Sequence, residues 1–84
     1  MLSNTEIQKI VFEKILSLTG KKISSVNEEL VASGILTSIT MAELAVELER
    51  AFAVSFSFME VNKENFSSAD SIMLLIQKKK RDVF

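Results

Sequence analysis

The segment Gly34–Phe52, GILTSITMAELAVELERAF, does most to restrict what this chain can become, because it announces a helix with apolar residues on two faces. Met41, Leu44, Ala45, Leu48 and Phe52 follow the three-and-four spacing of a buried stripe. Ile39, Ala42 and Val46 form a second apolar row. At about 100° per residue, positions 42 and 44 sit roughly 200° apart, so one small core does not easily take both rows. The second row either lies under the connection that precedes the helix or is left for a partner. Gly34 ends that connection, and Thr37 or Ser38 is the natural N-cap, its hydroxyl accepting an orphan backbone N–H of the first turn. Ser38 thus stands at the positive end of a helix.

The remaining periodicities predict further helices. Ser3 with Glu6 makes a capping box, Ile7, Ile10, Val11, Ile15 and Leu18 form an apolar stripe, and Gly20 is a stop, which predicts a first helix over 4–18. Residues 20–37 hold both glycines and scattered Ile23, Val26, Leu30 and Ile35, a long connection pinned across the bundle, with a short turn at Glu28-Glu29-Leu30. The second helix spans 38–52. Val54, Phe56 and Phe58 then alternate with Ser55 and Ser57, the pattern of an extended segment, and a short third helix is expected near 59–65. A second capping box, Ser67 with Asp70, starts a last helix over 68–79 that buries Ile72, Leu75 and Ile76 and ends in the dipole-compatible Lys78–Arg81 run. The expected architecture is all-α: a four-helix bundle, one domain over 1–84, with a long loop between helices 1 and 2 and a short helix 3. Phe56, Phe58 and Phe66 are expected as plugs between the helices.

Composition removes other classes of function. At 84 residues the chain supports one core, burying somewhat over 60% of its unfolded surface. No apolar run approaches membrane-spanning length, so membrane insertion is not expected. Residues 1–6 lack the basic and apolar blocks of a secretory signal, so a cytoplasmic location is expected. The start at Met1 and the short tail favour a freestanding protein, with a monomer as the default. The absence of Cys removes thiolate chemistry, and the absence of His removes the usual neutral-pH base and the commonest metal ligand, so no metal site is expected. The net charge of −1 conceals an asymmetry: residues 27–70 hold eight acidic and two basic side chains, a balance of −6, against +2 for residues 1–26 and +3 for 71–84. An acidic block around Ser38 disfavours nucleic acid and would steer a basic partner. Read alone, Glu43 and Glu47 are a solvated helix face.

The combination of Gly34, Ser38-Ile39, Glu43-Leu44, Leu48-Glu49 and Phe52 resembles the acyl carrier protein family, whose pattern is a Gly, then Asp-Ser-Leu or a close variant, then a helix. The spacing Gly34-Ile35-Leu36-Thr37-Ser38 and the Phe56–Phe66 stretch are more similar to D-alanyl carrier proteins and their freestanding relatives than to fatty-acid carriers. Length, helix pattern and the Ser-Ser-capped last helix extend the resemblance over nearly the whole chain. It implies an acyl-carrier-like bundle in which a phosphopantetheinyl transferase, using coenzyme A and magnesium, attaches 4′-phosphopantetheine to Ser38. The arm's thiol would hold acyl or aminoacyl cargo as a thioester and present it to loading and transfer enzymes. Ile39, Ala42 and Val46 would make apolar contacts with them, Glu43 and Glu47 charged ones. Two departures stand out: Thr37 replaces the usual Asp before the serine, at the surface partners touch, and Thr40 occupies an often acidic position. Three aromatic rings at 56, 58 and 66 would also shorten the cavity that shelters long chains, favouring short cargo.

Two other classes compete. An unmodified helical protein–protein interaction module would dock through the same Ile39 row with no prosthetic group. A small enzyme is the poorest reading, because Ser38 has no His to activate it and Glu43 and Lys63 form no catalytic spacing; no catalytic residue is expected.

Overall fold

A computed structural model describes residues 2–81. Met1 and residues 82–84, which the 1–84 domain reading and the freestanding reading include, lie outside the described residues. Three α-helices are present among the described residues: α1 (Asn4–Thr19), α2 (Ser38–Phe52) and α3 (Ala69–Arg81), with one 3-10 turn at Phe58–Glu60. The all-α expectation holds, but the count of four does not. No α-helix forms near 59–65, because asparagine side chains take the backbone groups that a helix would use. Asn65 N–H donates to Asn62 Oδ1 (2.8 Å), Asn62 Nδ2 donates to the Met59 carbonyl (2.8 Å), and Asn65 Nδ2 donates to the Glu60 carbonyl (2.9 Å). Such local side-chain bonds stabilise turns at the expense of the helical ladder.

The ends of α1 and α2 follow from local chemistry. Ser3 and Glu6 complete the expected capping box of α1, and Gly20 adopts the left-handed conformation (φ 73°) that ends it, donating to the Leu16 carbonyl. Gly34 (φ 84°) supplies the turn before α2, its N–H donating to the Val31 carbonyl. The C-cap of α2 is left-handed too, but the residue there is Ala53 (φ 54°). The expected Ser67–Asp70 box at α3 does not form; a single cap bond sits one residue later. Ser68 Oγ, not Ser67, accepts the Ser71 N–H (3.2 Å). Ser67 is otherwise engaged: its carbonyl accepts the Leu30 N–H (2.8 Å) and its hydroxyl donates to the Glu64 carbonyl.

One apolar core unites the elements. α1 contributes Ile7, Val11 and Ile15, α2 the whole expected stripe from Met41 to Phe52, and α3 Ile72, Leu75 and Ile76 together with Ala69 and Met73. The main helix contacts are α1 with α2 and α1 with α3. Ile23, Leu30 and Leu36 bury the long 20–37 connection, and its backbone is stitched to the start of α3. Leu30 N–H donates to Ser67, Asp70 N–H to the Val26 carbonyl (2.9 Å), and Leu36 N–H closes back on the Leu30 carbonyl (2.8 Å). These bonds set where α2 begins, immediately after Leu36, and therefore where Ser38 stands. Phe66 is fully buried and meets the half-buried Phe56 edge to face, with centroids 6.2 Å apart, a favoured aromatic geometry. Phe58 is not a plug: it is 93% exposed, because the chain turns at Ser57 into the 3-10 turn and breaks the alternation.

Candidate functional site

The first turn of α2 separates two hydroxyl roles that the sequence leaves open. Thr37, in extended conformation, is the N-cap: its Oγ1 accepts the Thr40 N–H (3.2 Å), and Thr40 Oγ1 accepts the Thr37 N–H (2.8 Å). This is a capping box in which Thr replaces the usual Glu or Gln at the third position. Thr37 and Thr40, the two positions that depart from the acidic pattern, thus cap the helix together without charge. Ser38 is the first helical residue and exposed, and its hydroxyl has no hydrogen-bond partner among the described residues. It projects from a helix end whose free N–H groups and dipole favour an anion.

An open groove of about 360 Å³ runs from Ser38 between α2 and the connection that follows it. On its α2 side Ser38, Ala42, Ala45 and Glu49 form a central row flanked by Met41 and Val46, and Phe56, Phe58 and Val61 stand on the facing wall. Positions 38, 42, 45 and 49 share one helix face, since eleven residues at about 100° each return to within roughly 20° of the start. Two small side chains between Ser38 and Glu49 leave this face low enough to accept something laid along it. Glu49 also fixes the opposite wall, its Oε2 accepting the Phe56 N–H (2.8 Å).

The second apolar row of α2 is outside the core. Ile39 is 72% exposed, Val46 46%, and Ala42 is exposed between them, so the 20–37 connection does not cover them. Glu43 is exposed beside them. Glu47 is half-buried and held within the molecule, 3.4 Å from Lys14 of α1 and 3.6 Å from Arg50. The structure therefore brings Ser38, Thr37, Ile39, Ala42, Glu43 and Val46 onto one accessible end and flank of α2, while Glu47 faces α1. The sequence reading missed Glu49 and the exposed pair Phe58 and Met59, 93% and 79% exposed. The shared face of 38, 42, 45 and 49 was the signal available for Glu49; nothing in the local pattern signals the outward turn of Phe58.

The connection bearing Phe58 is tied to the far end of α3. Glu60 Oε1 accepts from Lys79 Nζ (2.6 Å) and from the Ser57 N–H (2.7 Å). The Lys79 ammonium, followed by the Ser57 N–H, holds the Glu60 carboxyl below its ordinary range. No helix of the described residues is long and apolar enough to cross a membrane.

Comparison with known proteins bears on the site as a whole. The chain is similar to the D-alanyl carrier proteins of two strains of Lactobacillus delbrueckii subsp. bulgaricus, 24% identical to each over 74 residues that cover 87% of this chain and 92% of theirs. No solved structure matches. The family model described as "Phosphopantetheine attachment site" matches residues 9–73, a span that takes in most of α1, the whole of α2 and its groove, and the first residues of α3. Covalent 4′-phosphopantetheine is the prosthetic group of that family, and an exposed, unpartnered hydroxyl at a helix N-terminus beside a groove suits a phosphodiester-linked arm. With the match extending over well more than half of its length, the chain belongs to the phosphopantetheine-binding carrier family.

Proposed function

We propose that the protein carries short acyl or aminoacyl cargo as a thioester on 4′-phosphopantetheine attached to Ser38. The observation that carries this reading is the division of labour in the first turn of α2: Thr37 caps the helix, so the Ser38 hydroxyl is free. A phosphopantetheinyl transferase would use that hydroxyl as the nucleophile on the pantetheine-bearing phosphorus of coenzyme A. The Oγ–P bond forms, the pyrophosphate P–O bond breaks, 3′,5′-ADP leaves, and the hydroxyl proton passes to the transferase. The phosphodiester anion left on Ser38 meets the helix dipole, favourable by roughly 0.3–1 kcal/mol at an exposed site.

The arm supplies a thiol, the group the cysteine-free chain lacks. Loading and transfer enzymes would dock on Ile39, Ala42 and Val46, with Thr37 at the edge of the contact and Glu43 offering charge. Because Glu47 already pairs with Lys14, its contribution to docking would be smaller than that of Glu43. Buried Phe66 and Phe52 support short cargo, since they fill the interior that a long chain would enter. The carrier itself performs no turnover in this reading. One domain comprises the functional unit, monomeric and working in the cytoplasm.

Intact-protein mass after incubation with coenzyme A, magnesium and a broad-specificity transferase tests the attachment. The parent is expected to gain one phosphopantetheine and Ser38→Ala none; no gain by the parent with several transferases would overturn the reading. The exposed Ile39 row favours a second reading, an unmodified interaction module. It predicts partner binding that survives Ser38→Ala with undiminished affinity.

A further inference from the structure

Resting on the carrier reading, we infer that the groove from Ser38 to Glu49 is a track for the loaded arm, and that Glu49 at its far end selects cargo bearing a positive charge, an aminoacyl group with a free α-ammonium. Three features of the groove converge on this. The first is direction: Ser38, Ala42, Ala45 and Glu49 form one row along the α2 side, and the small side chains at 42 and 45 leave a channel between its ends, flanked by Met41 and Val46. The second is length. Eleven residues of helix rise about 16 Å at 1.5 Å each. A phosphopantetheine arm has about 14 bonds between Oγ and sulfur, which at the peptide-like extension of about 3.5 Å per three bonds also reaches roughly 16 Å. The thioester would therefore arrive beside Glu49.

The third feature is charge. Glu49 is the one ionisable side chain lining an otherwise largely apolar groove. Its Oε2 is held by the Phe56 N–H at 2.8 Å, which orients the carboxylate toward the facing wall. Its Oε1 has no hydrogen-bond partner among the described residues and can accept from an ammonium. Glu47, two residues earlier, is paired with Lys14 and Arg50, whereas neither of those cations pairs with Glu49 among the described residues. A neutral acyl group of the same size would find no such acceptor preference, and a cargo ending in a carboxylate would be repelled.

The test uses full-length protein loaded at Ser38 with hydrolysis-resistant amide analogues of two arms, one ending in an alanyl group and one in isobutyryl, which replaces the ammonium by a methyl group of similar size. Amide chemical-shift changes at Ala42, Ala45 and Phe56 report docking. The alanyl arm is expected to dock about two- to fivefold more than the isobutyryl arm in the parent, the range of a solvent-accessible ion pair, and the difference should shrink in molar salt. Glu49→Gln should abolish the difference while keeping the Phe56 bond, because its amide oxygen still accepts that N–H. Equal docking of the two arms in the parent, or a preference that persists in Glu49→Gln, would overturn the assignment. If mass analysis finds no arm on Ser38 at all, the carrier reading falls first; an arm present but indifferent to cargo charge defeats only the role of Glu49.

Discussion

At the scale of single residues, the two threonines flanking the candidate attachment site explain how the chain dispenses with an acidic residue before its serine. A cap must accept an N–H, and Thr37 Oγ1 does so while Thr40 returns the bond. Thr37→Ala should therefore lower the stability of the fold by about 1 kcal/mol, read as a shift in the urea midpoint at unchanged slope. Thr37→Asp should keep the cap and add a favourable charge at the helix N-terminus, raising stability by roughly 0.3–1 kcal/mol at low salt and less at high salt. The same substitution restores the charge the family pattern places beside the serine. A faster rate of Ser38 modification in Thr37→Asp would indicate that Thr37 limits transferase recognition; an unchanged rate would indicate a transferase that reads only the Ile39 row. That Ser38 is a candidate came from the sequence through the family resemblance, since a serine after a glycine-terminated loop and before a helix is by itself more often a plain N-cap. Which of Thr37 and Ser38 caps was not legible, since either hydroxyl can accept; the extended backbone of Thr37 (φ −94°, ψ 176°), next to Leu36 bonded back to Leu30, makes it the cap.

Elements differ in how much of them the sequence discloses. α1 and α2 were legible to within a residue, because their caps and stripes are local: Ser3 and Glu6, the Gly20 stop, the Met41–Phe52 stripe. The start of α3 was displaced by one position because Ser67 bonds to Leu30, thirty-seven residues earlier, a contact that no window of neighbours contains. The α2–α3 connection was least legible. Its apolar alternation at 54, 56 and 58 suggested one buried face, but the 3-10 turn reverses the third position outward while Phe66 takes the interior. The contrast gives a paired expectation. Phe66→Ala removes a fully buried ring that packs on Phe56 and should cost about 3–5 kcal/mol. Phe58→Ala alters an exposed ring and should change stability by less than about 0.5 kcal/mol. Chemical denaturation of both variants checks this; a large loss in Phe58→Ala would mean that the outward turn is not the stable one.

Across the whole molecule, the charge blocks read from the sequence are partly spent on holding the elements together. Lys14, from the basic first segment, meets Glu47 of the acidic block, and Lys79, from the basic last one, meets Glu60. The field left for partners is therefore carried by exposed carboxylates such as Glu43 rather than by the full balance of −6 over residues 27–70. The Lys79–Glu60 pair is the firmer tie, with side chains only 23% and 21% exposed, and it fastens the wall of the Ser38 groove to α3. It also makes stability depend on pH with a definite sign. The Glu60 carboxyl is held below its ordinary value of 4.5, chiefly by Lys79, so the folded state binds this proton less readily than the unfolded chain. Its contribution is fully present above that ordinary value and is lost as pH falls through the lowered one. Glu6, held down by the Ser3 N–H and hydroxyl at the start of α1, acts in the same direction. Lys79→Met should lower stability near neutrality by about 0.2–1 kcal/mol. It should also make the loss over the interval from neutrality into the acid range shallower than in the parent, because the share of the Glu60 lowering due to Lys79 is gone while the Ser57 N–H still holds Glu60 down and Glu6 is unchanged. Urea midpoints of parent and variant across that interval measure both effects. Parallel acid limbs would show that the ion pair does not tie the groove wall to α3 in solution.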